Sequence, residues 1–170
     1  MMNRSNMGPS HRFLRRDKKM QPHTKDSYRD PKRPKHDTYC ETCGAVCDAG
    51  RWAWRAAFGD LRQLQCPACK RMQEGVPAGE LVLRGAYLDA HRDAILALLR
   101  RQADFETNEH ALERVMEINE GDGAITVRTT GRHMVRRLAE ALLHAHHGDL
   151  ALHYRNGEDR LRAEWTRGGA

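Results

Sequence analysis

The chain has 170 residues, 31% charged and 39% hydrophobic, with a formal net charge of +6 and a mean hydropathy of −0.80. That length suits one ordinary domain plus a small module. No stretch is apolar enough for a membrane span or built like a secretory leader, so neither class of protein is expected. The charge is uneven: residues 1–37 hold eleven Lys or Arg against four Asp, a balance of +7, and the remainder holds 18 against 19 acidic residues, a balance of −1.

From Met1 to Asp37 the basic residues Arg12, Arg15, Arg16, Lys18, Lys19, Lys32, Arg33 and Lys35 are interrupted by Pro9, Pro22, Pro31 and Pro34. Apolar residues are few and follow no helical period, so residues 1–37 are expected to form a disordered basic tail. Such an arm meets polyanions, RNA foremost, through binding that weakens steeply with salt. The bland reading is a solubilising leader. A membrane-surface role fits poorly, because no large apolar face stands opposite the charges.

Residues 38–74 carry the most informative pattern, Cys40-Glu-Thr-Cys43-Gly44 and Cys66-Pro-Ala-Cys69. Each pair makes a turn that aims two thiolates at one point, and two such turns supply the four soft ligands of a tetrahedral zinc. The spacing therefore predicts a zinc ribbon in which Cys40, Cys43, Cys66 and Cys69 hold one structural Zn2+, with a hairpin in the gap between the pairs. Gly44 permits the positive φ that lets amide groups face the sulfurs. Four cysteines close the site, which argues against catalysis there. The competing readings are a redox dithiol and a thiol switch that releases zinc on oxidation. Cys47 is either a spare thiol beside the ribbon or an alternative ligand. Trp52 and Trp54 alternate onto one side of a strand, as the hydrophobic floor of a small metal module or as a stacking platform for an unpaired base. Thiols committed to zinc place the protein in the reducing cytoplasm.

Residues 75–170 read as a second domain. Gly75 to Gly79 is a linker or tight connection, and Leu81-Val-Leu83 a buried strand. Leu88, His91, Ile95, Leu98 and Leu99 recur at helical spacing over 88–101. Strands follow at 112–119 and 124–129 around Gly121-Asp122-Gly123. Thr130 is placed to cap a helix running to about His147, whose inner face is Met134, Leu138, Ala141, Leu142 and Ala145. Asp149 to Tyr154 and Leu161 to Trp165 close the chain as a hairpin turning at Asn156-Gly157. The order strand, helix, strand, strand, helix, strand predicts a ferredoxin-like α+β sandwich with an extra C-terminal strand at its edge.

Three places could carry function. The predicted strands present Arg128, His153, Arg160 and Arg162 on one face, which suits phosphate contacts or is merely solvated. The strand-to-helix junction Thr129-Thr130-Gly-Arg132-His133, with Arg136 nearby, has the makings of an anion site, or of an ordinary cap with surface arginines. His144 and His147 share a helix face with Glu140, where a polar outer face is the simpler reading of a metal tract. Phosphate-loop glycine patterns and nucleophilic triads are absent, so no enzyme and no small-molecule substrate are inferred.

The ordered set of motifs resembles the bacterial zinc-ribbon proteins related to the nonsense-mediated-decay-type ribosomal export adaptors. The matching pieces are Cys40-x-x-Cys43-Gly44, Gly50-Arg-Trp-x-Trp54, Cys66-Pro-Ala-Cys69, Pro77-Ala-Gly79, His110-x-Leu112-Glu-Arg114, Thr129-Thr130-x-x-His133, Tyr154 and Trp165. The chain departs from the family pattern at Ala111, where proline is usual, and at Arg100-Arg-Gln-Ala103, which is usually more acidic. The resemblance implies zinc binding and association with the large ribosomal subunit. Together with the charge split, it gives the expectation of a non-catalytic RNA-binding factor with ribosome or ribosomal RNA as partner. Its contacts are expected at Arg15, Arg16, Lys18, Lys19, Lys32, Arg33, Lys35, Arg128, Arg132 and Arg136. The alternative is a redox-responsive zinc-thiolate regulator.

Overall fold

Two sheets and three helices make a mixed α+β molecule, seen in a computed structural model that describes residues 12–15, 26–28, 34, 37–154 and 160–169. The elements in chain order are β1 (Arg12–Arg15), β2 (Thr38–Tyr39), β3 (Val46–Asp48), β4 (Arg51–Ala53), β5 (Arg62–Gln63), α1 (Pro67–Glu74) and β6 (Gly79–Arg84). They continue with α2 (Ala86–Glu109), β7 (Val115–Gly121), β8 (Ala124–Thr129), α3 (Arg132–His146), β9 (Asp149–Tyr154) and β10 (Leu161–Thr166). No helix among the described residues is long and apolar enough to cross a membrane.

The smaller sheet, in the order β4-β3-β2-β5, surrounds the cysteines. Its hairpin β3–β4 turns through Ala49 and Gly50, both at positive φ, a turn whose twist matches that of the strands it joins. Helix α1 opens on the second cysteine pair. The Cys66 sulfur accepts the Cys69 N–H at 3.4 Å, and Pro67 sits at the first helical position, where its missing N–H costs nothing. Gly75 ends the helix at φ 66°, and Val76 N–H returns to the Arg71 carbonyl at 3.1 Å. The segment 75–79 is therefore a tight connection: Ala78 N–H bonds the Thr129 carbonyl, and its own carbonyl receives Leu161 N–H.

The larger sheet runs β1-β9-β10-β6-β8-β7. The expected succession of strands and helices is present, but the closing strand is not at the edge. Strand β10 lies between β9 and β6, antiparallel to the first and parallel to the second. The reason lies in its side chains: Leu161, Ala163 and Trp165 are all buried, and an edge would leave them half uncovered. One face of this sheet, with Leu81, Leu83, Ile125, Val127, Leu150 and Trp165, packs on Ile95, Leu99, Met134, Leu138 and Leu142 of α2 and α3. Helix α2 extends beyond the expected end at Arg101 to Glu109, and it is interrupted at His91, whose φ and ψ are −122° and 17°.

The arm departs from expectation at two places. Arg12–Arg15 form β1, paired in parallel with β9 from Arg12↔Asp149 to Arg15↔Leu152. A strand can be held on a sheet edge through its backbone ladder, which composition does not register. Further along, the Asp26 carboxylate meets Arg71 at 2.5 Å, and the Tyr28 ring lies 4.1 Å from the Arg71 guanidinium. Arg16, Lys18, Lys19, Lys32, Arg33 and Lys35, and the turn at Asn156-Gly157, lie outside the described residues.

Candidate metal centre

The sulfur ligand atoms of Cys40, Cys43, Cys66 and Cys69 all lie within 4.8 Å of one another, with Cys43 and Cys66 3.8 Å apart. Sulfurs bound at about 2.3 Å in a tetrahedron stand roughly 3.8 Å apart, so the four fit around one metal ion without rearrangement. Two come from the turn between β2 and β3, closed by Gly44 N–H to the Cys40 carbonyl at 2.8 Å with Gly44 at φ 79°. The other two come from the start of α1. Three are buried, and Cys43 is half-buried.

Backbone amides prepare the sulfurs unequally. Burial alone would raise the Cys40 thiol, but N–H groups of Cys66, Cys43 and Thr42 outweigh it and bring that thiol down to about 6. For Cys66 and Cys69 burial prevails and pushes both thiols up. Four thiolates in so small a volume require a cation among them. Cys47, buried and pushed up by the same desolvation, stands outside the group and is a packed spare thiol.

Arg114 completes the site from the other side of the molecule. Its guanidinium donates to Cys43 Sγ at 3.0 Å and Cys69 Sγ at 3.3 Å, with Cys66 Sγ at 3.8 Å. Burial works against its charge, yet the hydrogen bonds it donates to Cys43 and Cys69 more than compensate. A set of four thiolates with a divalent ion carries two excess negative charges, and the guanidinium offsets part of them. Arg114 is held in turn: its Nε donates to the Ala111 carbonyl at 2.9 Å, its backbone N–H to Thr130 Oγ1 at 2.9 Å, and its guanidinium lies 5.1 Å from the Trp54 ring. Trp54 Nε1 donates to the Thr107 carbonyl at 2.6 Å. The two tryptophans thus differ. Trp52 packs with Ala111 and Leu112 in the small core around the cysteines, as a floor; Trp54 lies over Arg114.

The junction before α3 is occupied from within. Thr130 does not cap the helix: its hydroxyl donates to the Leu112 carbonyl at 2.7 Å and receives Arg114 N–H. The N-cap is Gly131, and Glu113 supplies the carboxylate, accepting Met134 N–H at 2.8 Å. A Cβ at Gly131 would stand 2.0 Å from that carboxylate, so a side chain there would push Glu113 off the Met134 N–H. The anion expected at this helix end is the chain's own Glu113.

The supposedly basic sheet face is a charge mosaic. Arg128 lies 2.7 Å from Glu117 and 3.5 Å from Glu80, while Arg162 reaches Glu80 at 3.3 Å and Glu164 at 3.0 Å. Glu80 sits opposite both arginines in the strand register, a neighbour that a reading strand by strand does not see. Arg136 lies on Tyr154 and donates to its hydroxyl, and Arg132 is half-buried at the first position of α3. Arg15 lies in β1. His144 and His147 are exposed, in keeping with a polar outer face. The residues missed were Glu106, Glu113 and Arg114. For Glu113 and Arg114 the sequence signal is the polar cluster His110-x-Leu112-Glu-Arg114 between a helix and a strand; Glu106 lies outside it, within α2. No family model, curated protein or solved structure matches this chain.

Proposed function

We propose that the protein is a zinc-binding, non-catalytic RNA-binding factor that associates with the large subunit of the ribosome. In this reading Cys40, Cys43, Cys66 and Cys69 hold one structural zinc, the metal whose chemistry matches four thiolates in a tetrahedron. The four-thiolate site with an arginine over three of its sulfurs leaves no position for a substrate. What supports an RNA partner is the surface of the metal module. Phe58 is 82% exposed there, and Arg51, Arg55 and Arg62 are exposed on the same module. An exposed ring and exposed arginines on one small module suit an unpaired base and its phosphates, although Arg55 is paired with Asp48 at 2.9 Å. The arm of residues 1–37, with its balance of +7, supplies electrostatic capture. Arg128 and Arg136 would give up internal partners to meet a phosphate, so they and Arg132 act after the arm and the module.

Sedimentation of the full chain in cell lysate on a sucrose gradient, at low and at moderately high salt, tests the proposal. Co-migration with a ribosomal particle that survives salt is expected, and Phe58→Ala should weaken it. A chain that stays at the top under both conditions contradicts it. The second reading, a redox-responsive zinc-thiolate regulator, draws on the partial exposure of Cys43. It requires mild peroxide to eject zinc, and zinc retained after such treatment removes it.

A further inference from the structure

We propose that Glu106, His110 and His133 form a second, open site that binds a divalent transition-metal ion. The three ligand atoms lie within 4.8 Å of one another. Glu106 Oε2 is 3.1 Å from His133 Nε2 and 4.0 Å from His110 Nε2. Donors bound at about 2.1 Å and at right angles stand roughly 3.0 Å apart. The Glu106–His133 pair is already at that spacing. His110 has to approach by about 1 Å, which two free side-chain torsions at an exposed position permit.

The donors come from two elements. Glu106 lies in the last turn of α2, and His110 follows it by four residues as the residue that ends that helix. His133 is the second residue of α3. The rings stand edge to face, 5.1 Å apart at 84°, so neither blocks the other. The carboxylate is preset. Its side chain is 2% exposed, and its second oxygen is fixed by Arg137 Nε at 2.9 Å and Gln102 Nε2 at 3.0 Å. A buried, outer-bonded carboxylate with two imidazoles is the donor set of open 2-His-1-carboxylate sites.

This site differs from the sulfur centre in kind. Both histidine side chains are about half exposed, 54% for His110 and 47% for His133. Coordination positions on the solvent side stay free for water or an anionic oxygen. Imidazole donors favour zinc, nickel or copper over magnesium or calcium. The positive charge of Arg137 opposes the ion, which makes binding weaker than at the four thiolates. The same short segment serves both centres, since Ala111, Leu112 and Arg114 reach the cysteines while His110 reaches Glu106.

The test is calorimetric titration of the untagged, zinc-loaded full chain with Ni2+, with zinc content measured before and after. One nickel per chain is expected without zinc release. Binding should vanish in the double variant His110→Gln, His133→Gln and persist in His144→Gln, His147→Gln. Acid should weaken it, because protons compete with the ion for the ligand nitrogens. His110→Gln alone, at an exposed position, should weaken it about tenfold or more and guards against misfolding of the double variant. No nickel uptake, uptake matched by released zinc, or equal uptake in the His110 and His133 variants overturns the proposal.

Discussion

The two sheets of this protein are held by different chemistry. Around the larger one, Trp165, Leu81, Leu83, Leu138 and their neighbours bury hydrocarbon in a continuous core. Around the smaller one, the buried cluster is Cys40, Ala45, Cys66, Ala68, Cys69 and Ala111, with Cys43, Trp52 and Leu112 beside it. Such a cluster has little hydrocarbon to remove from water, at about 25 cal/mol per Å2. With so little hydrocarbon, the smaller sheet is expected to need a metal at its four cysteines, together with Ala111, Leu112 and Arg114 packed against them, whereas the larger sheet stands on its own packing.

The largest effect should come from taking the metal away. Structural zinc contributes roughly 10–16 kcal/mol of apparent binding free energy in small zinc modules. Cys66→Ser, or a strong chelator, is expected to abolish zinc binding and release the half-buried Trp52 into water. Trp165 should stay buried and the larger sheet protected in hydrogen exchange. Simultaneous loss of both regions would erase the distinction.

The converse change comes next. Leu138→Ala, at a fully buried position of α3, should cost about 2–5 kcal/mol in thermal or denaturant unfolding. Zinc content should remain at that of the unsubstituted protein below the transition. Loss of zinc in the still-folded variant would mean that the metal site depends on the core itself.

Arg114→Met sharpens the link between the regions by keeping the stem and deleting the fork over the sulfurs. Charge-assisted hydrogen bonds of this type are worth about 1.5–3 kcal/mol, and loss of a partner to a ligand costs about 10–100-fold in metal affinity. Zinc transfer to a competing chelator should accelerate accordingly, with the larger sheet's melting little changed. Unchanged transfer would reduce Arg114 to a surface neighbour.

The smallest expected effect is a pH dependence confined to the larger region. Burial, then His91, Arg167 and His147, hold the His146 imidazole below its usual value. Its neutral form is thus favoured in the folded state. Stability should fall as pH drops below about 6.5 towards the folded-state value, because the unfolded chain takes up the proton first. His146→Gln should flatten that slope, and an unaltered slope would assign it to another group.

How much of this was legible depended on sequence distance. The cysteine pairs, Gly44 and the turn at Asp122-Gly123 act over three or four residues, and their geometry follows from residue type. Arg114 lies 71 residues from the Cys43 sulfur it bonds, and Glu113 lies 21 residues from Met134. Such pairs carry no spacing rule. The place of β10 was hidden for a related reason: its parallel partner β6 precedes it by some eighty residues, and periodicity tells which face is buried, not which strand is adjacent. In the sequence Glu106 is a lone acidic residue on a helix and reads as solvated; only the fold sets two histidines and Arg137 against it.

The four cysteines are expected to make a closed, all-sulfur metal centre. X-ray absorption at the zinc edge measures this most directly, on the His110→Gln, His133→Gln variant so that the sulfur site alone contributes. One zinc per chain with four sulfur neighbours at about 2.3 Å is the expected result. A shell containing nitrogen or oxygen, or protein that retains no zinc, would contradict it.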